Sequence, residues 1–163
     1  MTDSYIVGDA EVIQRFGALD GRLKAELRVG IGRLALKLAR NIHDGKLNGQ
    51  VLKRRSGHLQ DAITDFLTDA GDTISGGATL STPIPYAKAH EYGFTGVVTV
   101  KQHMRTIKQA FGRAISPRQV NVRLHSMRMN LPERSFMRSA LRDMEQAGEI
   151  GAEMAAAVKR AIS

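Results

Sequence analysis

Hydrophobic positions along this chain change period three times, and each change predicts a different element. Val12, Phe16, Leu19, Leu23, Leu27, Ile31, Leu34, Leu38 and Ile42 recur at steps of three and four. That spacing predicts one long amphipathic helix, with Asp9 as its N-cap and the residues up to Gly8 loose. Gly17, Gly21, Gly30 and Gly32 interrupt the stripe, and a break is expected near Asp20-Gly21. Gly30 to Ala35 formally fits a dinucleotide fingerprint, but that motif needs a strand before it and a helix start at its glycines. These glycines fall mid-helix, where close packing against a neighbour is the expected use. After Asn41–Gly45 the helical pattern stops, and Lys46–Gly57 reads as a polar connection with Ser56 capping a short helix over His58–Ile63.

Short strands are predicted at Phe66–Asp69, Thr73–Ser75 and Ala78–Ser81 around Gly71 and Gly76-Gly77, ending at Pro83-Ile84-Pro85. Tyr86–Tyr92 reads as a helical turn or two closed by Gly93. Strict alternation then takes over, and a six-residue phrase occurs twice: Val98-Thr-Val-Lys-Gln-His103 and Val120-Asn-Val-Arg-Leu-His125. Alternation is the period of a strand. In the first copy Val98, Val100, Gln102 and Met104 oppose Thr99, Lys101, His103 and Arg105; in the second, Val120, Val122 and Leu124 oppose Asn121, Arg123 and His125. With Gly112 and Pro117 between them, the two copies predict a long β-hairpin with a wide loop, carrying its cations on one shared face.

From Leu131-Pro132 onward the helical period returns. Phe136, Ala140, Met144, Ala147, Met154, Val158 and Ile162 outline a last helix, with Glu145, Glu149 and Glu153 on its polar side. The predicted fold is α+β: a long N-terminal helix and a C-terminal helix packed on a small, mainly antiparallel sheet, with a long hairpin arm over residues 97–130 of one domain, 1–163.

Charge singles out the arm. The chain has 24 Lys or Arg against 16 Asp or Glu, and Val97–Arg142 alone holds ten cations and one acid, Glu133. Such a stretch predicts a partner-facing arm meeting acidic protein or nucleic acid, since paired cationic strands otherwise repel. The 163 residues are enough to bury a substantial core. The absence of Cys excludes disulfides and thiolate metal sites. The N-terminus lacks the basic start and apolar run of a signal peptide, and no run approaches the ~18 apolar residues of a membrane span.

Candidate chemistry is sparse. His90-Glu91 invites a zinc-protease reading, but that motif needs a second His at position 94, where Phe stands. His103 and His125, at equivalent places in the two copies, lack the third protein ligand of an ordinary zinc site. No paired carboxylates, Walker loop or nucleophile elbow occurs. No catalytic residue, metal or cofactor is expected, and a metal-dependent hydrolase using His90, Glu91, His103 and His125 ranks last.

Three stretches together carry a family resemblance: Ser56-Gly-His-Leu-Gln-Asp-Ala-Ile63, Pro85-Tyr-Ala-Lys-Ala-His-Glu-Tyr-Gly93 and Leu131-Pro-Glu-Arg-Ser-Phe-Met-Arg-Ser-Ala-Leu141. In that order they resemble the small neck or tail-completion proteins of long-tailed bacteriophages, also described as head–tail joining or minor tail proteins. The matching positions are Gly57, Leu59, Tyr86, Ala87, Glu91, Gly93, Arg134 and Phe136, with Ser135 where a Pro is common and Met137 where a Leu is common. The resemblance implies a structural virion protein, assembled in the host cytoplasm. It would form a ring, commonly six-fold, with other tail and head-connector proteins, completing the tail and joining it to the head. Lys101, His103, Arg105, Arg113, Arg118, Arg123 and His125 are then the residues expected to face a neighbouring subunit, another partner or packaged DNA, with no role for a membrane. The alternative is a free basic nucleic-acid-binding protein, for which the pI of 10.2 speaks. Against it, the basic stretch offers only Phe111 and Phe136 for stacking on single strands.

Overall fold

The computed structural model describes residues 9–71 and 73–163, with side chains from residue 19 onward. The expected loose start, the Asp9 cap and the stripe positions Val12 and Phe16 lie outside the described residues or side chains. The fold is α+β, with a long N-terminal helix, C-terminal helices and small antiparallel sheets. It comprises two compact units, one of residues 1–87 with 135–163 and one of residues 88–134.

In the first unit, α1 (Asp9–Arg40) runs without a break through all four glycines. Gly21 tolerates this because nothing lies within 4 Å of the position of its missing Cβ. Gly30 and Gly32 serve packing, as expected: a Cβ at Gly30 would stand 3.3 Å from Met154 Cε, and one at Gly32 3.6 Å from Leu67 Cδ2. The helix does not stop at Gly45. It widens into a π-helical segment, Asn41–Gln50, that ends where Asn48 and Gly49 leave helical backbone angles. Buried Gln60 donates from Nε2 to the His43 carbonyl at 2.8 Å, taking up one acceptor of the widened turn.

The short helix α2 (His58–Asp61) starts at Gly57, whose φ of 87° carries the chain into it with no side-chain cap, so Ser56 is not the N-cap. Ile63, expected at that helix's end, instead opens strand β1 (Ile63–Ala70), which pairs antiparallel with β2 (Thr73–Leu80). The expected separate short strands are one hairpin that runs through Gly76-Gly77. Gly76 faces α1 so closely that a Cβ there would lie 2.6 Å from Ile31 Cγ2. That close approach is why a strand interior accepts glycine here.

The C-terminal helix is two. Helix α4 (Met137–Gln146) ends before Gly148, whose φ of 69° starts α5 (Glu149–Ile162) on a new phase. The expected stripe carried one period across that break. Beyond it, Ala157 and Ala161 are buried while Val158 and Ile162 are exposed. A core of Ile42, Leu47, Leu59, Ala87, Phe136 and Ala140 sits where the π segment, α2 and α4 converge, flanked by Leu38, Ile63, Leu80 and Ile84.

The second unit opens in α3 (Ala87–Tyr92) and continues as one long antiparallel ribbon. Strand β3 (Phe94–Val100) pairs with β6 (His125–Leu131), and β4 (His103–Ala110) pairs with β5 (Arg113–Val122). The loop at the tip is not wide. It has two residues, Phe111 and Gly112, between paired Ala110 and Arg113. Pro117 lies instead within β5, beside the register shift between Ile107 and Gln109, where a missing N–H costs no ladder bond.

Candidate functional site: the cationic ribbon

Charge and lack of core mark the second unit. Residues 88–134 hold nine Lys or Arg and two acids, while the remainder of the chain holds 15 cations and 14 acids. No residue from Phe94 to Leu131 is buried. A two-stranded ribbon on its own is at best marginally stable in water.

The base is tied by backbone. The Arg134 N–H donates to the His90 carbonyl at 2.7 Å, closing the entry and exit of the ribbon. Gly93 ends α3 at φ 74°, and a Cβ there would meet Glu133 N at 3.1 Å and Leu131 O at 3.2 Å. Glu91 in the same turn is buried.

Above the base, the proximal ladder β3·β6 has two unlike faces. Phe94, Val98 and Val100 share one with Met127, Met129 and Leu131, and all six are half-buried or exposed. Thr95, Val97 and Thr99 share the other with Asn130, Arg128 and Ser126, where Thr95 Oγ1 and Asn130 Oδ1 are 2.9 Å apart. The distal part, from Lys101 to Leu124, carries Lys101, Arg105, Lys108, Arg113, Arg118 and Arg123 with no acid, and all six cations are exposed.

The two ladders meet at matching interruptions, Lys101-Gln102 and Arg123-Leu124. There the repeated phrase becomes a repeated geometry. His103 Nδ1 lies 2.9 Å from the Lys101 carbonyl, and His125 Nδ1 lies 2.8 Å from the Arg123 carbonyl. A carbonyl only accepts, so in each neutral ring the proton sits on Nδ1 and Nε2 is left as an acceptor. Among the described residues no group of three or more His, Asp or Glu is placed to hold a metal ion.

The cations do not share one face, as alternation within each copy led us to expect. Val98 and Val100 stand across from Met127 and His125, whereas Val120 and Val122 stand across from Arg105 and His103. The valine face of each copy therefore meets the polar face of the other. In the distal ladder Arg105 and Arg118 share the face of Val120, while Lys108 follows Ile107 in β4, which alternation puts on the opposite face; Arg123 lies just past the end of β5.

Sequence reasoning missed the tip. Phe111 is fully exposed, at 105%, with φ 49°, and Gly112 follows at φ 76°. Two successive positive φ values are what a two-residue hairpin turn requires. A bulky side chain at the first of them is a backbone outlier. A Phe-Gly pair between alternating segments was the available signal. Of the remaining family-like positions, Leu59, Ala87 and Phe136 lie in one core and Tyr86 is largely exposed.

Elsewhere, α1 and α5 line a groove of ≈ 310 Å³ with Arg33, Leu34, Lys37, Glu149, Ala152 and Glu153. Its charges pair among themselves, Lys37 with Glu149 at 2.8 Å and Arg33 with Glu153 at 3.4 Å. Among the described residues no helix is long and apolar enough to cross a membrane. No protein-family model, curated protein or solved structure matches the chain.

Proposed function

We propose that this chain is a structural virion protein of a tailed phage or prophage, assembling as a ring at the head–tail junction or tail end. The observation that carries the reading is the ribbon: a long, coreless, cationic element closed at its own base by the Arg134–His90 backbone bond. The half-exposed apolar face of β3·β6, with open strand edges on both sides, suits a second copy of the chain in a ring. Burying six apolar side chains against a neighbour would supply the core the ribbon lacks. The resemblance of the three stretches around Leu59, Ala87 and Phe136 to neck and tail-completion proteins supports the same reading, since their residues build one core.

The test is a chain in which residues 97–130 are replaced by a short turn. The reading predicts native helix content by circular dichroism together with loss of assembly by sedimentation. Rings formed by the shortened chain would refute the role given to the ribbon.

A further inference from the structure

The distal half of the ribbon has a different character from the proximal half. From Lys101 to Leu124 there are six exposed cations, no acid, and a fully exposed phenyl ring at the tip. The cations of the ladder occupy both faces, because Arg105 and Arg118 lie on one and alternation along β4 puts Lys108 on the other. A protein surface that meets a two-stranded ribbon lies against one of its faces, and cations on the far face would gain nothing. A nucleic-acid groove flanks a ribbon with phosphates on both sides, and β-ribbons bind in the major or the minor groove. Phosphate neutralisation by Lys and Arg is the main source of such affinity.

The tip adds a second, independent observation. Phe111 is held at φ 49° with no contact that rewards it, although Asn or Gly would fit the turn without strain. Backbone outliers of this kind persist where function needs the side chain. Exposed apolar side chains at the ends of DNA-binding elements act as wedges between base pairs, unstacking a step and kinking the duplex.

We infer that the distal ribbon binds duplex DNA along a groove, with Lys101, Arg105, Lys108, Arg118 and Arg123 on the flanking phosphates and Phe111 wedged into a base step. This rests on the reading of the ribbon as the contact element of a virion protein, and it assigns DNA to the distal part while the proximal apolar face is left to the neighbouring subunit.

The experiment uses the intact chain and a duplex of about 30 base pairs labelled at both ends, with binding followed by anisotropy and bending by energy transfer. With five phosphate contacts the affinity should fall with salt at a log–log slope of about −4.5. Arg105→Ala with Arg118→Ala, and separately Lys108→Ala on the opposite face with Arg123→Ala just past β5, should each make the slope shallower by about 2. Phe111→Ala should keep the slope, weaken binding roughly tenfold and abolish the bend. All five side chains are exposed, so folding is unaffected and the assembled mass serves as the control. Failure to bind the duplex at low salt, a salt slope sensitive to one face alone, or a bend that survives Phe111→Ala would each overturn the inference. Rings that form normally yet ignore DNA would do so while leaving the proposed virion role standing.

Discussion

Val100 of β3 stands directly across from His125 of β6, and the relation repeats in mirror order where Val122 of β5 stands across from His103 of β4. The third residue of each copy of the phrase thus pairs with the sixth of the other. Third and sixth residues belong to different strands, on either side of the interruptions at Lys101-Gln102 and Arg123-Leu124, so each copy of the phrase is divided between the two ladders. In the distal ladder the cations stand on both faces, Arg105 and Arg118 on one and Lys108 on the other.

Gly93 should be intolerant of any side chain. Its φ of 74° strains any side chain, and a Cβ there would stand 3.1 Å from the backbone Glu133 N, so the base of the ribbon would have to shift. Gly93→Ala should cost about 1–3 kcal/mol. Hydrogen exchange of the β3·β6 amides is the direct readout, and unchanged protection there would contradict the assignment.

Phe136 carries the core that the three family-like stretches share. It is 1% exposed, among Ile42, Leu47, Leu59, Ala87 and Ala140. Phe136→Ala should destabilise the chain by about 3–5 kcal/mol, read from the urea midpoint. A midpoint within experimental error of the parent would show that this cluster is not the centre of the core.

Phe111 should behave in the opposite way. Its ring is fully exposed and its backbone is in the left-handed region. Phe111→Asn should leave the fold intact and raise stability by about 1 kcal/mol, since Asn tolerates that conformation. A lowered melting temperature would mean that the phenyl ring supports the fold after all.

These positions show how far the sequence could be read. The long first helix, the helix α3 with its Gly93 stop, and the alternating segments were legible because each depends on a local period or a local backbone requirement. The deepest residues of α1 were less so. Ala35 and Ala39 are buried while Leu34 and Leu38 are only partly covered, because β2 comes close enough for Gly76 to face Ala35. Such close approach is a property of the neighbour, and no periodicity in α1 reports it. Val158 and Ile162 continue the stripe that outlines the last helix but are exposed: Gly148 resets the helix phase, and a stripe drawn straight through it goes out of register. In the ribbon, alternation marked extended chain, but each alternating segment is cut between two strands, at Lys101-Gln102 and Arg123-Leu124, and the relation between strands depends on the length of the turn. Two residues at Phe111-Gly112, rather than a wide loop, decide it.

The helix pair of the first unit should respond to acid. Arg160 donates to Glu153 at 3.0 Å and to Glu26 at 2.7 Å. The Arg160 hydrogen bond, aided by the nearby charge of Arg33, holds the Glu153 carboxyl below its ordinary 4.5. A carboxyl lowered on folding contributes stability that is fully present above the ordinary value and lost as pH falls through the lowered one. The contribution is small, because the pair is solvent-exposed and screened. Glu153→Gln should therefore reduce the stability difference between neutral and acidic pH, with the two proteins converging at the acid end. Curves of equal slope would place the acid sensitivity elsewhere.

The most direct measurement is the solution mass of the intact chain by light scattering across concentration and salt. Assembly predicts a closed multiple of 17.8 kDa, or a monomer that converts to one as concentration rises. A species fixed at 17.8 kDa under every condition would contradict an intrinsic ring-forming role for the ribbon.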